Sequence, residues 1–236
     1  MSSERAQHLA ERAAGGLRAA ARRRTAAAST EGERAEGRLG GADGNERLTS
    51  ALGLLLLVLL SVEVLTTLDL SSFLPLHLFL GLLLLPAVSL KVASAGWRAG
   101  RYYTGSEGYR RRGAPELGLR MLAPALVIAT AVLFGSGVAL VVTGTGGGTV
   151  GTVHVAAFVV WSVFVVGHIG LHLPRALARG TADWRPRERL SGVAWRRALI
   201  AGGLVAGIAL ALGTYSIQSS WRSHHHGLPE RRPGGR

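Results

Sequence analysis

TVHVAAFVVWSVFVVGHIGLHL, residues 152–173, runs 22 positions without an Asp, Glu, Lys or Arg. An apolar run of about 20 residues is what a helix needs to cross the hydrocarbon core. Four further runs of 19 residues or more occur, at roughly 49–68, 74–97, 120–142 and 197–215. Pro86 and Pro124 fall inside two of them and are tolerated in a bilayer where neighbouring helices re-satisfy the backbone. The last run, with AGGLVAGIALALG at 201–213, is small enough in side chain to pack closely on another helix. These runs predict an all-α fold, a polytopic membrane helix bundle of about five transmembrane helices spanning 48–215.

Outside them the composition changes. Residues 1–47 are mostly Ala, Arg, Glu and Gly, too poor in large apolar side chains to offset ordering entropy. They predict a flexible, disordered N-terminal tail on the cytoplasmic side. The tail's seven acids argue against a transit peptide, and the late start of the first apolar run argues against a secretory signal. Residues 216–236 predict a second flexible tail, on the outer side. It carries His224, His225 and His226, a triplet that either binds a metal weakly or is simply solvated.

Net charge is +13, which in a soluble domain would suggest nucleic acid. The charge sits in two connections instead. Segment 98–120 carries six Arg and two Glu, and segment 174–197 seven Arg and two acids. Segment 69–73 holds only Asp69, and 143–151 holds no charge. The positive-inside rule then sets the N-terminus inside and the C-terminus outside, in a cytoplasmic membrane. Trp97, Tyr102 and Tyr103 suit the inner interface, and Tyr215 and Trp221 the outer one. No nucleic-acid role is expected. With no cysteine, thiolate metal sites, iron–sulfur clusters, disulfides and covalently attached haem are excluded. TGTGGGTVG at 143–151 lacks the Lys-Ser/Thr that completes a phosphate loop and reads as a turn. The Arg-rich, Lys-poor, Ala- and Gly-rich usage suits a high-GC bacterium.

Ionisable residues inside spans are costly and are functional candidates by default. Here they are Glu63, His77, Lys91, His154, His168 and His172. His154 and His168 are 14 residues apart on the fourth span, and His77 and Lys91 are 14 apart on the second. At 3.6 residues per turn each pair shares a face, about 21 Å apart along the axis. The two spans run in the same direction, so His77 matches His154 in depth and Lys91 matches His168. Facing imidazoles at equal depth are what a six-coordinate haem b requires, and bundle cores are a usual place for one. Gly81, one turn from His77, removes a side chain where the macrocycle needs a slot. Gly135 and Gly137 on the third span could do the same. The bundle would surround the group with spans two to five or one to four.

Two histidine-bearing helices with this spacing resemble the membrane di-haem b-type cytochromes, the cytochrome b subunits of membrane oxidoreductases. The resemblance covers about 74–173. It implies one haem b held by His77 and His154 as iron ligands, and a second that would need Lys91 with His168. Lys91 stands where that group carries a histidine, and His172 is an alternative inner ligand. Lys91 could equally snorkel to the interface, or hold a haem propionate or quinone. The implied function is electron transfer between a quinol or cytoplasmic donor and an outer partner. That makes the chain an electron-transfer subunit beside a redox partner, rather than a self-contained enzyme. Two other readings stay open. One is a cofactor-free scaffold or assembly subunit whose histidines hydrogen-bond between helices. The other is a small-solute or proton transporter using Glu63 and Lys91.

Overall fold

A computed structural model of the chain describes residues 40–111, 117–144, 146–185 and 190–217, with Gly15, Gly16, Arg18, Ala20 and Arg23 before them. The rest of the N-terminal tail and the His224–His226 triplet lie outside the described residues. Helices and turns account for the described elements: α1 (Gly41–Thr66), α2 (Leu70–Tyr103), α3 (Leu117–Thr143), α4 (Gly148–Gly180) and α5 (Val193–Gly213). Four continuous helical stretches are long and apolar enough to cross a membrane, and the first, Gly41–Tyr103, contains both α1 and α2. A 3₁₀ turn at Thr67–Asp69 divides it. The protein is an all-α integral membrane bundle, with the five apolar runs on five helices.

Helix α1 starts at Gly41, within the stretch expected to be tail. Long-range bonds order it where apolar burial would not. Asn45 Nδ2 donates to the Ser94 carbonyl at 3.1 Å, and Ser94 Oγ donates back to Asn45 Oδ1 at 2.7 Å. Arg47 reaches Asp183 on the far side at 3.0 Å. Gly40, at φ 80°, turns the chain into the helix; a Cβ there would sit 2.6 Å from the Ser191 carbonyl. At the other end of α1, Asp69 Oδ1 accepts from Ser71 Oγ at 2.6 Å and Ser72 N at 3.3 Å, capping α2.

Helices α2 and α4 have 34 and 33 residues. At 1.5 Å per residue they are about 50 Å long, well beyond a hydrocarbon core of about 30 Å. The first turns of both expected Arg-rich connections are therefore helical: Arg98 and Arg101 ride on α2, Arg175 and Arg179 on α4. Pro75, Pro86, Pro124 and Pro174 all lie inside helices.

Helices α1 to α4 form a closed ring. The α1–α2 seam is antiparallel, running from Asn45 beside Ser94 through Leu56 against Leu84 and Ala87 to Glu63 beside His77. Gly180 of α4 lies on α1, where a Cβ would meet Leu54 at 2.8 Å and the Ser50 backbone at 3.0 Å. Trp161 Nε1 of α4 donates to Thr130 Oγ1 of α3 at 3.1 Å. Phe134 and Val141 of α3 close the ring against Leu84 and Leu78. Helix α5 lies outside, its Gly207 in backbone contact with Leu83 of α2. Val58, Ile128, Val142, Val163 and Val205 face outward, as lipid-facing positions do.

The ring is tied at its arginine-bearing end by a buried ionic knot. Asp183 accepts from Arg196 Nη2 at 2.7 Å and from Arg47 Nη1 at 3.0 Å. Arg196, only 1% exposed, also donates to the Ser191 carbonyl at 2.7 Å. Arg197 donates to the Asp183 carbonyl. The knot joins the start of α1, the end of α4 and the start of α5. The Arg side chains here, read from sequence as topology charges alone, also hold tertiary structure.

Candidate functional site

A cavity of about 450 Å³ opens between α1, α2, α3 and α4 at the end opposite the knot. Its size falls in the range of small-ligand and cofactor sites, about 300–1,000 Å³. Most of its lining is apolar, with Phe158 and Trp161 in the wall; the ionisable groups on it are Glu63, His77 and His154. Of the two arrangements left open by the sequence, helices one to four surround this space.

The structure brings His77 and His154 together, ring centroids 6.5 Å apart and planes at 82°. Each ring is fixed through Nδ1. His154 Nδ1 lies 3.2 Å from the Leu133 carbonyl, which can only accept, so Nδ1 carries the proton. Ser136 Oγ sits 3.1 Å from the same nitrogen and spends its own proton on the Leu133 carbonyl at 2.9 Å. His77 Nδ1 lies 3.0 Å from Thr66 Oγ1 and 3.0 Å from Glu63 Oε1. The Thr66 hydroxyl donates to the Glu63 backbone carbonyl, so it too accepts from the ring. Both imidazoles are thus N–H at Nδ1, and each Nε2 keeps its lone pair. Neither Nε2 has a hydrogen-bond partner among the described residues.

Glu63 is 13% exposed at its side chain. Its Oε1 meets His77, while Oε2 is buried with no partner among the described residues. Gly81 borders this carboxyl, a Cβ there lying 3.5 Å from Oε1. Gly137 makes room for the other ring: a Cβ would stand 3.1 Å from His154 Cε1. Gly137 lines the cavity, and Gly135, with nothing within 4 Å of its Cβ position, does not.

The second expected pair is arranged differently. Lys91 Nζ donates to the Thr49 carbonyl at 3.0 Å and lies over Gly53, where a Cβ would be 2.9 Å away. His168 stacks on His172 of its own helix, centroids 4.5 Å apart. It makes no hydrogen bond to another helix among the described residues. The partners missed by sequence reasoning are the hydroxyls of Thr66 and Ser136 at the imidazoles and the Thr49 backbone carbonyl at Lys91. Ser136 stands between the two glycines of FGSGV at 134–138, a signal that a short polar side chain sits at a close approach.

No group of three or more His, Asp or Glu side chains is placed to hold a metal ion among the described residues. Two imidazoles alone suit an ion that brings its other ligands with it. Imidazole nitrogen binds first-row metals at about 2 Å, which puts two rings on opposite sides of one ion about 6 Å apart between centroids. No protein-family model matches the chain, and comparison with curated proteins and with solved structures finds no match either.

Proposed function

We propose that the chain is a membrane-embedded haem b protein, resembling cytochrome b subunits, that passes electrons between a quinol or cytoplasmic donor and an outer partner. The observation that carries this reading is the facing pair His77 and His154, each with Nδ1 occupied and Nε2 open. Metal-bound histidine characteristically donates its other N–H to a carboxylate or carbonyl. That is what Glu63, Thr66 and the Leu133 carbonyl accept. Haem b would supply one-electron redox chemistry. The chain's own residues do the rest: Gly81 and Gly137 leave room, the Nδ1 bonds fix tautomer and ring angle, and the apolar wall excludes water. One haem per chain is expected, because His77 and His154 are the one facing imidazole pair from two helices among the described residues. The membrane would be the cytoplasmic one, with the N-terminus inside.

The test is spectroscopic. Full-length protein purified from haem-replete cells should show a Soret band that sharpens and shifts on dithionite reduction, at one haem per chain. His77→Ala and His154→Ala should each abolish that component, and His172→Ala should leave it intact. One observation favours a second reading, a cofactor-free scaffold: each histidine hydrogen-bonds to a neighbouring helix, His77 to α1 and His154 to α3. Colourless protein from such cells would select the scaffold and end the haem assignment.

A further inference from the structure

The seam between α1 and α4 is fastened at the knot end. There Leu54 lies against Gly180, Glu46 faces Arg179 at 3.9 Å, and Arg47 meets Asp183 at 3.0 Å. The other three seams are bridged at the level of the cavity. Glu63 and Thr66 hold His77 across α1–α2, Leu78 meets Val141 across α2–α3, and His154 with Ser136 and Trp161 with Thr130 join α3–α4. The turn between α3 and α4 folds over the far end. Gly146 and Gly151 line the cavity there, and a Cβ on Gly151 would stand 2.7 Å from the Gly146 carbonyl.

Two valines mark what the α1–α4 seam does at that level. Glu63 turns to α2 and His154 turns to α3. Each residue of an α-helix is rotated about 100° from the one before it, so Val64 and Val155, one position on, turn away from those partners. Pairing along the three bridged seams is antiparallel, so α1 and α4 also run in opposite directions and the two rotations have opposite sense. Both valines line the cavity, which brings them to the α1–α4 seam from either side. Valines pointing into a sealed seam would bury each other. Instead they are 37% and 63% exposed.

We propose that the cavity opens sideways into the bilayer between Val64 and Val155, and that an acyl chain of a phospholipid enters it through this gap. Val155 lies seven residues past the start of α4, about 10 Å along the axis, deeper than an interfacial layer of about 5–8 Å. What stands outside the gap is hydrocarbon. An empty apolar cavity forfeits contacts on every wall. A lipid tail that fills this one, against Leu60, Leu74, Leu82, Phe158 and Trp161, only passes from one apolar medium into another. The chain would occupy haem-free protein and yield to haem, so the inference goes beyond the haem reading and stands without it.

Trp161, 5% exposed in the cavity wall, is the reporter. Replacing Trp97, Trp184, Trp195 and Trp221 by Phe leaves it the single tryptophan of the full-length chain. Protein from haem-depleted cells would be reconstituted in phosphatidylcholine with plain or brominated acyl chains, bromine quenching indole emission at contact. Emission should be severalfold lower in the brominated lipid. Val64→Phe/Val155→Phe narrows the gap and should recover most of the emission, and Val64→Ala/Val155→Ala widens it and should deepen the loss. Val163→Phe, at a 69% exposed position off the cavity lining, should change nothing. Equal emission in the two lipids would overturn the proposal, as would quenching that neither rim variant moves. Failure of the protein to bind haem would leave these outcomes untouched.

Discussion

Thr66 and Ser136 have no charge and no ligating nitrogen, yet they decide which nitrogen of each imidazole stays open. Each spends its proton on a carbonyl of its own helix and turns a lone pair toward Nδ1. Sequence spacing could pair His77 with His154, because histidine is rare in a span and its period is legible. It could not find the hydroxyls. In this chain Thr130 and Ser162 make the same own-helix bond, to Leu126 and Phe158, and what each hydroxyl faces across the helix depends on rotation about the axis. Spacing did not report the partner of Lys91 for a related reason: its long stem reaches the Thr49 carbonyl of α1. Gly137 carries a sharper expectation. Valine there would drive its side chain into His154, an overpacking that costs about 1–3 kcal/mol. Gly137→Val should lower haem content per chain at least severalfold, measured by pyridine haemochrome, while Gly135→Ala should leave it unchanged.

For whole helices, the apolar runs located every one and missed where they stop. Lipid exposure fixes which residues are apolar, whereas backbone hydrogen bonding continues until something breaks it. For α2 that is Gly105 at φ 90°, just past the cap at Thr104, in the left-handed conformation that commonly ends helices. For α1 the start is set by Asn45 and Arg47, polar residues whose partners lie 49 and 136 positions away; no local pattern reports them. The Gly-rich run of α5 was readable as a packing surface, and the structure identifies its neighbour as α2. Gly207 touches the Leu83 backbone, so any larger residue must push the helices apart. Gly207→Val should lower the thermal midpoint in detergent, for a cost of about 1–3 kcal/mol. Gly202→Ala, with open space at its Cβ position, should leave the midpoint within error.

In the molecule as a whole, five crossings would put the start of α1 and the end of α5 on opposite sides of a membrane, and the positive-inside rule predicts that the Arg-rich connections at 98–120 and 174–197 lie inside. A reporter active only outside the cytoplasm should work when fused after Arg236 and fail when inserted after Gly108; the reverse pattern would invert the bundle and the assignment of donor and acceptor sides with it. The knot at Asp183 bears on how such a chain is made. It ties Arg47 of the first helix and Arg196 of the fifth to Asp183, just past the end of the fourth, and removing one partner from a buried ionic cluster typically costs about 3–5 kcal/mol. Arg47 leaves the ribosome 136 residues ahead of Asp183, and Arg196 follows 13 residues later still. The first helix therefore enters the bilayer with its anchor unsynthesised and waits through most of translation. A product cut short between residues 183 and 196 holds Asp183 through Arg47 alone. Ionic closure of the bundle is thus a late event of synthesis, reached only when the fifth helix begins.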